Sequence, residues 1–377
     1  MTEKNSKIRK AFITDWLEKY GGAERVVTAI SEVYDFDYYY AYVNKMNEET
    51  QTMTFAGKKV IVEDSPILNK FKKRFRYLLP FFPFMVWHFN RQTRKNKVDL
   101  VISSSWSLSK AYRIGSEVHV CYLQARNFKY VWDEAYLYFK GPLKLLYPLK
   151  IFIQRFDLRT SKTPDYLIAN SEFVSNWVQR YYNREATVIY PPVDVDDFYI
   201  SPNREDYYIT VGRIEPYKRF DIIVDAFKSN KKPLKIIGNG TQLKKLKENS
   251  AADSNIEYMG LRSKSEIIEM VSKAKGFVYA GVEDFGIVLV EALASGVPVI
   301  AYREGAAQEI VQDGRTGVLY DDQTPGALNA AIQKYENILH DFVSADLRES
   351  AFKFSKSNFK EQFAAFINNI KIDCEAI

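Results

Sequence analysis

Glu283-Asp-Phe-Gly-Ile-Val-Leu-Val-Glu291, continued by Ala292-Leu-Ala-Ser-Gly-Val-Pro-Val299, is the stretch from which the rest of the chain can be read. Gly276 to Ala280 before it and Val297 to Ala301 after it are short apolar runs bounded by turn residues, as buried parallel strands are. Strand, loop, helix and strand in that order make a crossover unit. Its loop runs into a helix N-terminus, where free backbone N–H groups and the positive dipole end suit a diphosphate or sugar hydroxyls. Asp284 to Ile287 are placed to supply those amides, with Glu283 on the loop and Glu291 about two turns into the helix. Two glutamates on an ordinary surface helix are the alternative when the pair is taken out of context.

The alternation continues on both sides. Upstream in the same half, Tyr207 to Val211, Leu234 to Ile237 and Ile256 to Tyr258 read as strands with helical segments between most of them. In the first half, Lys10 to Thr14, Val98 to Ser103, Val118 to Leu123, Tyr166 to Ala169 and Thr187 to Tyr190 read the same way. Gly21 and Gly22 turn the first of these into a helix over Ala23 to Val33. Pro191, Pro192 and the acidic run Asp194 to Asp197 break any element midway, so the linker is expected there. Residues 1–192 and 193–356 then form two α/β domains. The C-terminal segment 357–377 carries Phe359, Phe363, Phe366, Ile367 and Ile370 at helical spacing and is expected to pack back on the first domain.

The bulk numbers agree with two cores, since 377 residues are too many for one ordinary domain. With 46% hydrophobic and 27% charged residues the composition is globular. Two distant cysteines, Cys121 and Cys374, suggest neither a disulfide framework nor a zinc site, and a reducing compartment fits. Met1 to Lys10 is polar and charged with no signal-peptide pattern behind it, and no apolar run approaches the ~18 residues that span a bilayer. A cytoplasmic protein is expected, and the net charge of +6 leaves open an anionic surface or a phosphate-bearing substrate.

Glu283, Gly286, Glu291 and the Ser295-Gly-Val-Pro298 turn resemble the paired-glutamate motif of the family-four retaining glycosyltransferases, and the likeness runs from about Gly21 to the C-terminal helix. It implies the GT-B fold, two Rossmann-like doubly wound domains facing across a cleft, with a nucleotide-diphosphate sugar held by the second and the acceptor by the first. By the same resemblance Glu283 meets the donor sugar and Glu291 the ribose, whose vicinal diol a carboxylate matches. Val211-Gly-Arg-Ile-Glu-Pro-Tyr-Lys-Arg-Phe-Asp221 carries the family's diphosphate-binding pair at Arg213 and Lys218, with Arg219 less sharply placed. Two cations there neutralise the charge that builds on the departing nucleoside diphosphate, the task of magnesium in metal-dependent transferases. No metal and no cofactor are therefore expected. Donor contacts are expected from Gly21, Gly22, Gly212, Gly238, Leu261, Asp284, Phe285, Gly286, Ile287 and Val288. Asp194-Val-Asp196 looks like a metal-binding Asp-x-Asp, but it sits in the interdomain Pro-Pro-Val-Asp signature, and His88, His119 and His340 have no metal spacing.

The subgroup of bacterial polysaccharide mannosyltransferases carries histidines in two places where this chain has Ser103-Ser-Ser-Trp106 and Cys121-Tyr-Leu-Gln-Ala-Arg126, followed by Lys129-Tyr-Val-Trp-Asp133. Gln124 or Arg126 then has to supply the polar contact at the reaction centre, with Gln124 taken as the catalytic one and Arg126 and Trp106 as acceptor contacts. The resemblance implies a hexose donor, GDP-mannose before a UDP-sugar, and a glycan or lipid-linked glycan acceptor in surface polysaccharide synthesis. Residues 67–97 hold nine Lys or Arg, eight aromatics and no acid, the pattern of a face for an anionic membrane surface or another polyanion and, lacking a nucleic-acid motif, not for nucleic acid; core aromatics among solvated charges are the alternative. Two other readings stand beside the transferase: a silent subunit supporting a partner enzyme, prompted by the missing histidines, and a nucleotide-sugar epimerase or hydrolase on the same fold.

Overall fold

The computed structural model describes residues 8–71, 74–139 and 141–370. They form two compact units, one running to Pro191 and resumed from Phe359, the other Pro192–Asn358.

The first unit is built on strands β1 (Lys10–Leu17), β2 (Tyr38–Asn44), β3 (Val62–Asp64), β4 (Leu100–Ser105), β5 (Val118–Leu123), β6 (Tyr166–Ala169) and β7 (Thr187–Val188). All pair in parallel, in the order β3-β2-β1-β4-β5-β6-β7. The second unit repeats the plan with β8 (Tyr208–Val211), β9 (Leu234–Ile237), β10 (Ile256–Gly260), β11 (Gly276–Tyr279), β12 (Val299–Tyr302) and β13 (Gly317–Tyr320). Its order is β10-β9-β8-β11-β12-β13, again parallel throughout. In each sheet the order reverses beside the first strand, between β1 and β4 and between β8 and β11. At such a switch point the loops leaving the two strands diverge and open a crevice at the C-terminal edge, where ligands of α/β folds settle.

Residues alternate across the pleat of β1: Phe12 enters one core cluster while Ala11 and Ile13 enter the other, all fully buried. The first cluster takes Val26, Val27, Ala29 and Ile30 from the helix Gly22–Val33, and Phe359, Phe363 and Ile367 from the C-terminal helix Lys356–Asn368. The second takes Phe82, Met85, Val86 and Phe89 from the helix Phe82–Thr93 and Ile153 from the helix Tyr147–Thr160. Rotation of that last helix is fixed by Asp157, whose fully buried carboxylate accepts from Lys110 Nζ at 2.6 Å and from Trp132 Nε1 and Tyr182 Oη at 2.8 Å. Burying an ion pair costs desolvation of both charges, and here the extra donors offset it.

Three strands escape the sequence reading. Tyr38–Asn44 is dominated by tyrosines, yet Tyr40, Ala41, Tyr42 and Val43 are buried between β1 and β3. Val62–Asp64 is a three-residue edge strand, and Gly317–Tyr320 is a four-residue strand that follows β12 after only the one-turn helix Ala307–Ile310. β1 also runs past Thr14, because Trp16 and Leu17 keep pairing with Val43 and Asn44.

Candidate functional site

In the second unit the expected donor-site residues stand at the C-terminal edge of the sheet or on the helix that begins there. The chain leaves β8 at Gly212, turns through Arg213 to Lys218, and enters the helix Phe220–Asn230 with Arg219 in a left-handed conformation, φ 53°. The loop after β9 lies against this turn. Gly238 has φ +144°, and a Cβ there would fall 1.9 Å from the Gly212 carbonyl oxygen; one at Gly240 would fall 2.3 Å from that of Ile214. Only glycines allow the two loops to approach so closely. Hydrogen bonds lock them: Gly212 N–H donates to Ile237 O and Ile214 N–H to Asn239 O, both at 3.0 Å. Gly238 N–H donates to Gly260 O at 2.9 Å, which brings the end of β10 and the exposed Leu261 beside the same loop.

After β11 the chain passes Ala280 and Gly281, where a Cβ would press on Lys218 Cα at 3.0 Å, and reaches Glu283. Glu283 is pinned by its backbone, which bridges to Gly305 and accepts from Ala306 N–H at 3.0 Å. Asp284 and Phe285 are buried, and Gly286, in the left-handed region at φ +98°, caps the helix Ile287–Ala294. Ile287 and Val288 are its first residues, so their N–H groups begin the helix without an intrahelical acceptor. Glu291 is half-buried in the second turn of this helix.

These two loops place Lys218 and Glu283, 65 positions apart in sequence, in direct contact. Lys218 Nζ pairs with Glu283 Oε1 and donates to Tyr279 Oη at 3.2 Å, while Tyr279 Oη donates to the same Glu283 oxygen. Tyr279 is the last residue of β11 and is fully buried. Burial, reinforced by the Glu283 carboxylate, holds its hydroxyl well above the ordinary tyrosine range, so it stays a proton donor at any physiological pH. Arg213 is exposed and donates to Tyr217 Oη at 2.8 Å. Arg219 is engaged elsewhere, with Asp221 at 3.0 Å and Gln323 at 2.8 Å. Asp194 faces Lys264 Nζ at 3.6 Å, and Asp197 pairs with the same amine.

The first unit presents a parallel arrangement. Gly21 and Gly22 follow β1, Trp106 follows β4, and Gln124 and Arg126 follow β5. Asp15, near the end of β1 and fully buried, accepts from the backbone N–H groups of Trp106, Leu108 and Ser109 at 2.7, 2.6 and 2.6 Å and so shapes the loop after β4. Burial raises its pKa against the pull of those three donors. Gln124 donates to Ser104 Oγ at 2.9 Å and Ala23 O at 3.4 Å, and its own carbonyl accepts from Asn170 at 2.8 Å. It therefore ties the glycine turn to the ends of β4 and β5. Glu24, in the first turn of the helix after Gly21, is nine-tenths buried, and burial lifts its carboxyl to about 7.

Arg126 is not presented as an acceptor contact in this structure. Its guanidinium is buried, paired with Asp133 at 3.0 Å and Glu134 at 3.5 Å, and stacked on Phe173 at 4.8 Å. Trp106 is half-buried with its ring edge-on to Trp16, centroids 5.5 Å apart. Of the residues in these networks, Tyr279 and Asp15 were missed by the sequence reading. A hydroxyl at the last position of a strand that enters the glutamate loop was the signal for Tyr279; nothing local marks Asp15.

A model of Glycosyltransferase Family 4 matches residues 20–197, and one described as Glycosyl transferases group 1 matches residues 196–349. An uncharacterized glycosyltransferase of Methanocaldococcus jannaschii is 34% identical over 198 residues, which make up 51% of this chain and 55% of that protein. A GDP-mannose-dependent alpha-(1-6)-phosphatidylinositol monomannoside mannosyltransferase of Mycolicibacterium smegmatis is 30% identical over 38% of this chain and 44% of its own length. The chain thus spans about half the length of these curated relatives. Among solved structures, Anabaena HepE in complex with UDP and glucose superposes with a TM-score of 0.74 at 18% identity, over 96% of this chain and all of that one. Sucrose-phosphate synthase of Thermosynechococcus elongatus gives 0.74 at 17% identity, over 96% and 98%.

Proposed function

The chain belongs to the family-four glycosyltransferases of GT-B architecture, and on that premise we propose that it moves a hexose from a nucleotide-diphosphate sugar to a glycan or lipid-linked glycan with retention of the anomeric configuration. The observation that carries the reading is the contact of Lys218 with Glu283 over Tyr279, at the switch point of the second sheet and beside the N-terminus of the helix Ile287–Ala294.

In this reading Lys218 and Arg213 hold the two phosphates, helped by the first amides of that helix, and Glu291 takes the ribose. Glu283 steadies Lys218 until the donor arrives and then receives the sugar hydroxyls. The bond from the sugar's anomeric carbon to the β-phosphate oxygen breaks as the acceptor oxygen attacks the same face, and the acceptor's proton passes to the leaving phosphate. Positive charge from Lys218 and Arg213 lowers the cost of that departure, so the step runs without a divalent metal. The donor base is read between two supports, the UDP-bound structural neighbour and the GDP-mannose-dependent relative. Mannose is the preferred sugar and a bacterial surface polysaccharide the preferred product, made at the inner face of the plasma membrane. Among the described residues no helix is long and apolar enough to cross a membrane.

A silent supporting subunit is the second reading, favoured by Gln124, whose amide is occupied by Ser104 and Ala23. One experiment separates the two: release of nucleoside diphosphate from GDP-mannose, UDP-glucose and dTDP-glucose, with and without a bacterial lipid extract as acceptor source. The transferase reading expects one donor to be consumed only when acceptor is present, and Lys218→Ala to lower the rate by about a hundredfold. Consumption without acceptor indicates a hydrolase or epimerase, and none at all indicates the silent subunit.

A further inference from the structure

The two loops that carry Lys218 and Glu283 are joined from behind by the end of a third strand. The ladder between β8 and β11 pairs Tyr208 with Gly276 and Ile209 with Phe277, and the strands part before their last residues. That parting opens the crevice, and it leaves the loops after Val211 and Tyr279 without the sheet to keep them in register. They still lie against each other, since a Cβ on Gly281 would sit 3.0 Å from Lys218 Cα.

One link between the loops is the contact of Lys218 with Glu283 and Tyr279. On the transferase reading that link gives way when the donor arrives, because Lys218 turns to phosphate and Glu283 to the sugar hydroxyls. A second link uses neither residue. Gln323 Nε2 donates to Ala280 O at 2.8 Å, and Gln323 Oε1 accepts from Arg219 Nη1 at 2.8 Å. One carboxamide thereby joins the first residue after β11 to the residue after Lys218, 43 and 104 positions away from it in sequence. Its chemistry suits the place, because one end donates to a carbonyl while the other accepts from a cation.

Both ends of this link are themselves fixed. Gln323 is half-buried between β13 and Thr324, which caps the helix Pro325–Asn337 by accepting from Ala327 N–H at 3.2 Å. Tyr320, the last residue of β13, donates from a buried hydroxyl to Tyr279 O at 3.2 Å and draws the end of β11 towards the same strand. Arg219 has φ 53°, a conformation that a residue other than glycine holds only when its surroundings support it. Its guanidinium supplies support, meeting Asp221 through Nε and Nη2 at 3.1 and 3.0 Å and Gln323 through Nη1.

We propose that Gln323 is a positioning residue for the transfer step, holding the loops of Lys218 and Glu283 in register once the donor has replaced the contact between them. Its kinetic consequence rests on the transferase reading; the link between the loops does not.

The test uses Gln323→Met, which keeps the length of the side chain and removes both hydrogen bonds, and Gln323→Glu, which keeps the bond from Arg219 and sets a carboxylate against the Ala280 carbonyl. Nucleotide release from the consumed donor, in the presence of the bacterial lipid extract, should show kcat lowered about tenfold in both variants, as for a hydrogen bond needed in the transition state. The calorimetric dissociation constant for whichever of GDP, UDP and dTDP binds should stay within about threefold of wild type. A role confined to the helix Pro325–Asn337 would lower the melting temperature and leave kcat of the folded fraction unchanged, which would overturn the proposal. A Gln323→Glu variant as fast as wild type would also overturn it, since the bond to Arg219 alone would then suffice. Hydrogen exchange of the ligand-free chain tests the link without any donor. Amides of residues 213–222 and 280–287 should exchange several-fold faster in Lys218→Ala with Gln323→Met than in Lys218→Ala alone, because both links are then gone. Equal exchange in these two variants overturns the proposal even in a chain that turns over a donor. Faster exchange in a chain that consumes no donor supports the link and removes the transferase reading instead.

Discussion

Replacing Tyr279 by Phe removes one oxygen from the centre of the Lys218–Glu283 contact and leaves the ring, its packing and both charged partners in place. That oxygen accepts from Lys218 Nζ at 3.2 Å and donates to Glu283. Hydrogen bonds to charged groups contribute about 1.5–3 kcal/mol each, which converts to roughly ten- to hundredfold in rate if the geometry they hold is needed in the transition state. The lower end is expected, because the side chains of Lys218 and Glu283 are 13% and 18% exposed and keep each other as partners after the change. The assay is steady-state transfer with varied donor. The account predicts a fall in kcat of about tenfold with the donor KM changed by less than about threefold, since the hydroxyl orients the pair and does not itself bind phosphate. A purely structural role would instead lower the melting temperature and leave kcat unchanged in the folded fraction. An unchanged kcat would refute the positioning argument.

Gly238→Ala and Gly260→Ala both place a side chain at positive φ, but only at Gly238 does the new Cβ meet backbone, at 1.9 Å, whereas nothing lies within 4 Å at Gly260. Chemical denaturation should show a loss of about 1 kcal/mol for Gly260→Ala and clearly more, about 2–4 kcal/mol, for Gly238→Ala, with nucleotide affinity reduced only in the latter. Glu24 has a folded-state pKa raised to about 7, so its contribution to stability is present below its unfolded value and lost as pH rises through 7. Glu24→Gln should flatten the pH dependence between about 5 and 8 and leave the variant about 1–3 kcal/mol more stable than wild type at pH 8. A pH profile of unfolding identical to wild type would contradict it.

The sequence was legible where physics acts locally. Apolar runs between turn residues located ten of the parallel strands to within a few residues, because strands covered on both faces must be apolar almost throughout. The stripe Phe359, Phe363 and Ile367 signalled a buried helix face, and the face is buried in the first unit's core. Tyr38–Asn44 was not legible, since a row of tyrosines becomes a strand only through pairing with β1 and β3. In the site, Lys218, Glu283 and Gly286 were named from the resemblance of their loops to the family's motifs. Their mutual contact could not be named, because it depends on two strands 65 positions apart becoming neighbours in the sheet. Arg126 shows the converse. Its type suggested a contact for the acceptor, but Asp133, Glu134 and Phe173, all distributed over later elements, take up its guanidinium.

The central claim is that the C-terminal edge of the second sheet binds a nucleoside diphosphate with side-chain cations in place of a metal. Calorimetric titration of the purified chain with GDP, UDP and dTDP, each with and without EDTA, addresses it directly. The account predicts that one of the three binds with micromolar affinity, unchanged by EDTA and weakened by about 2 kcal/mol or more in Lys218→Ala. Binding by none of them, or binding that EDTA abolishes, would contradict it.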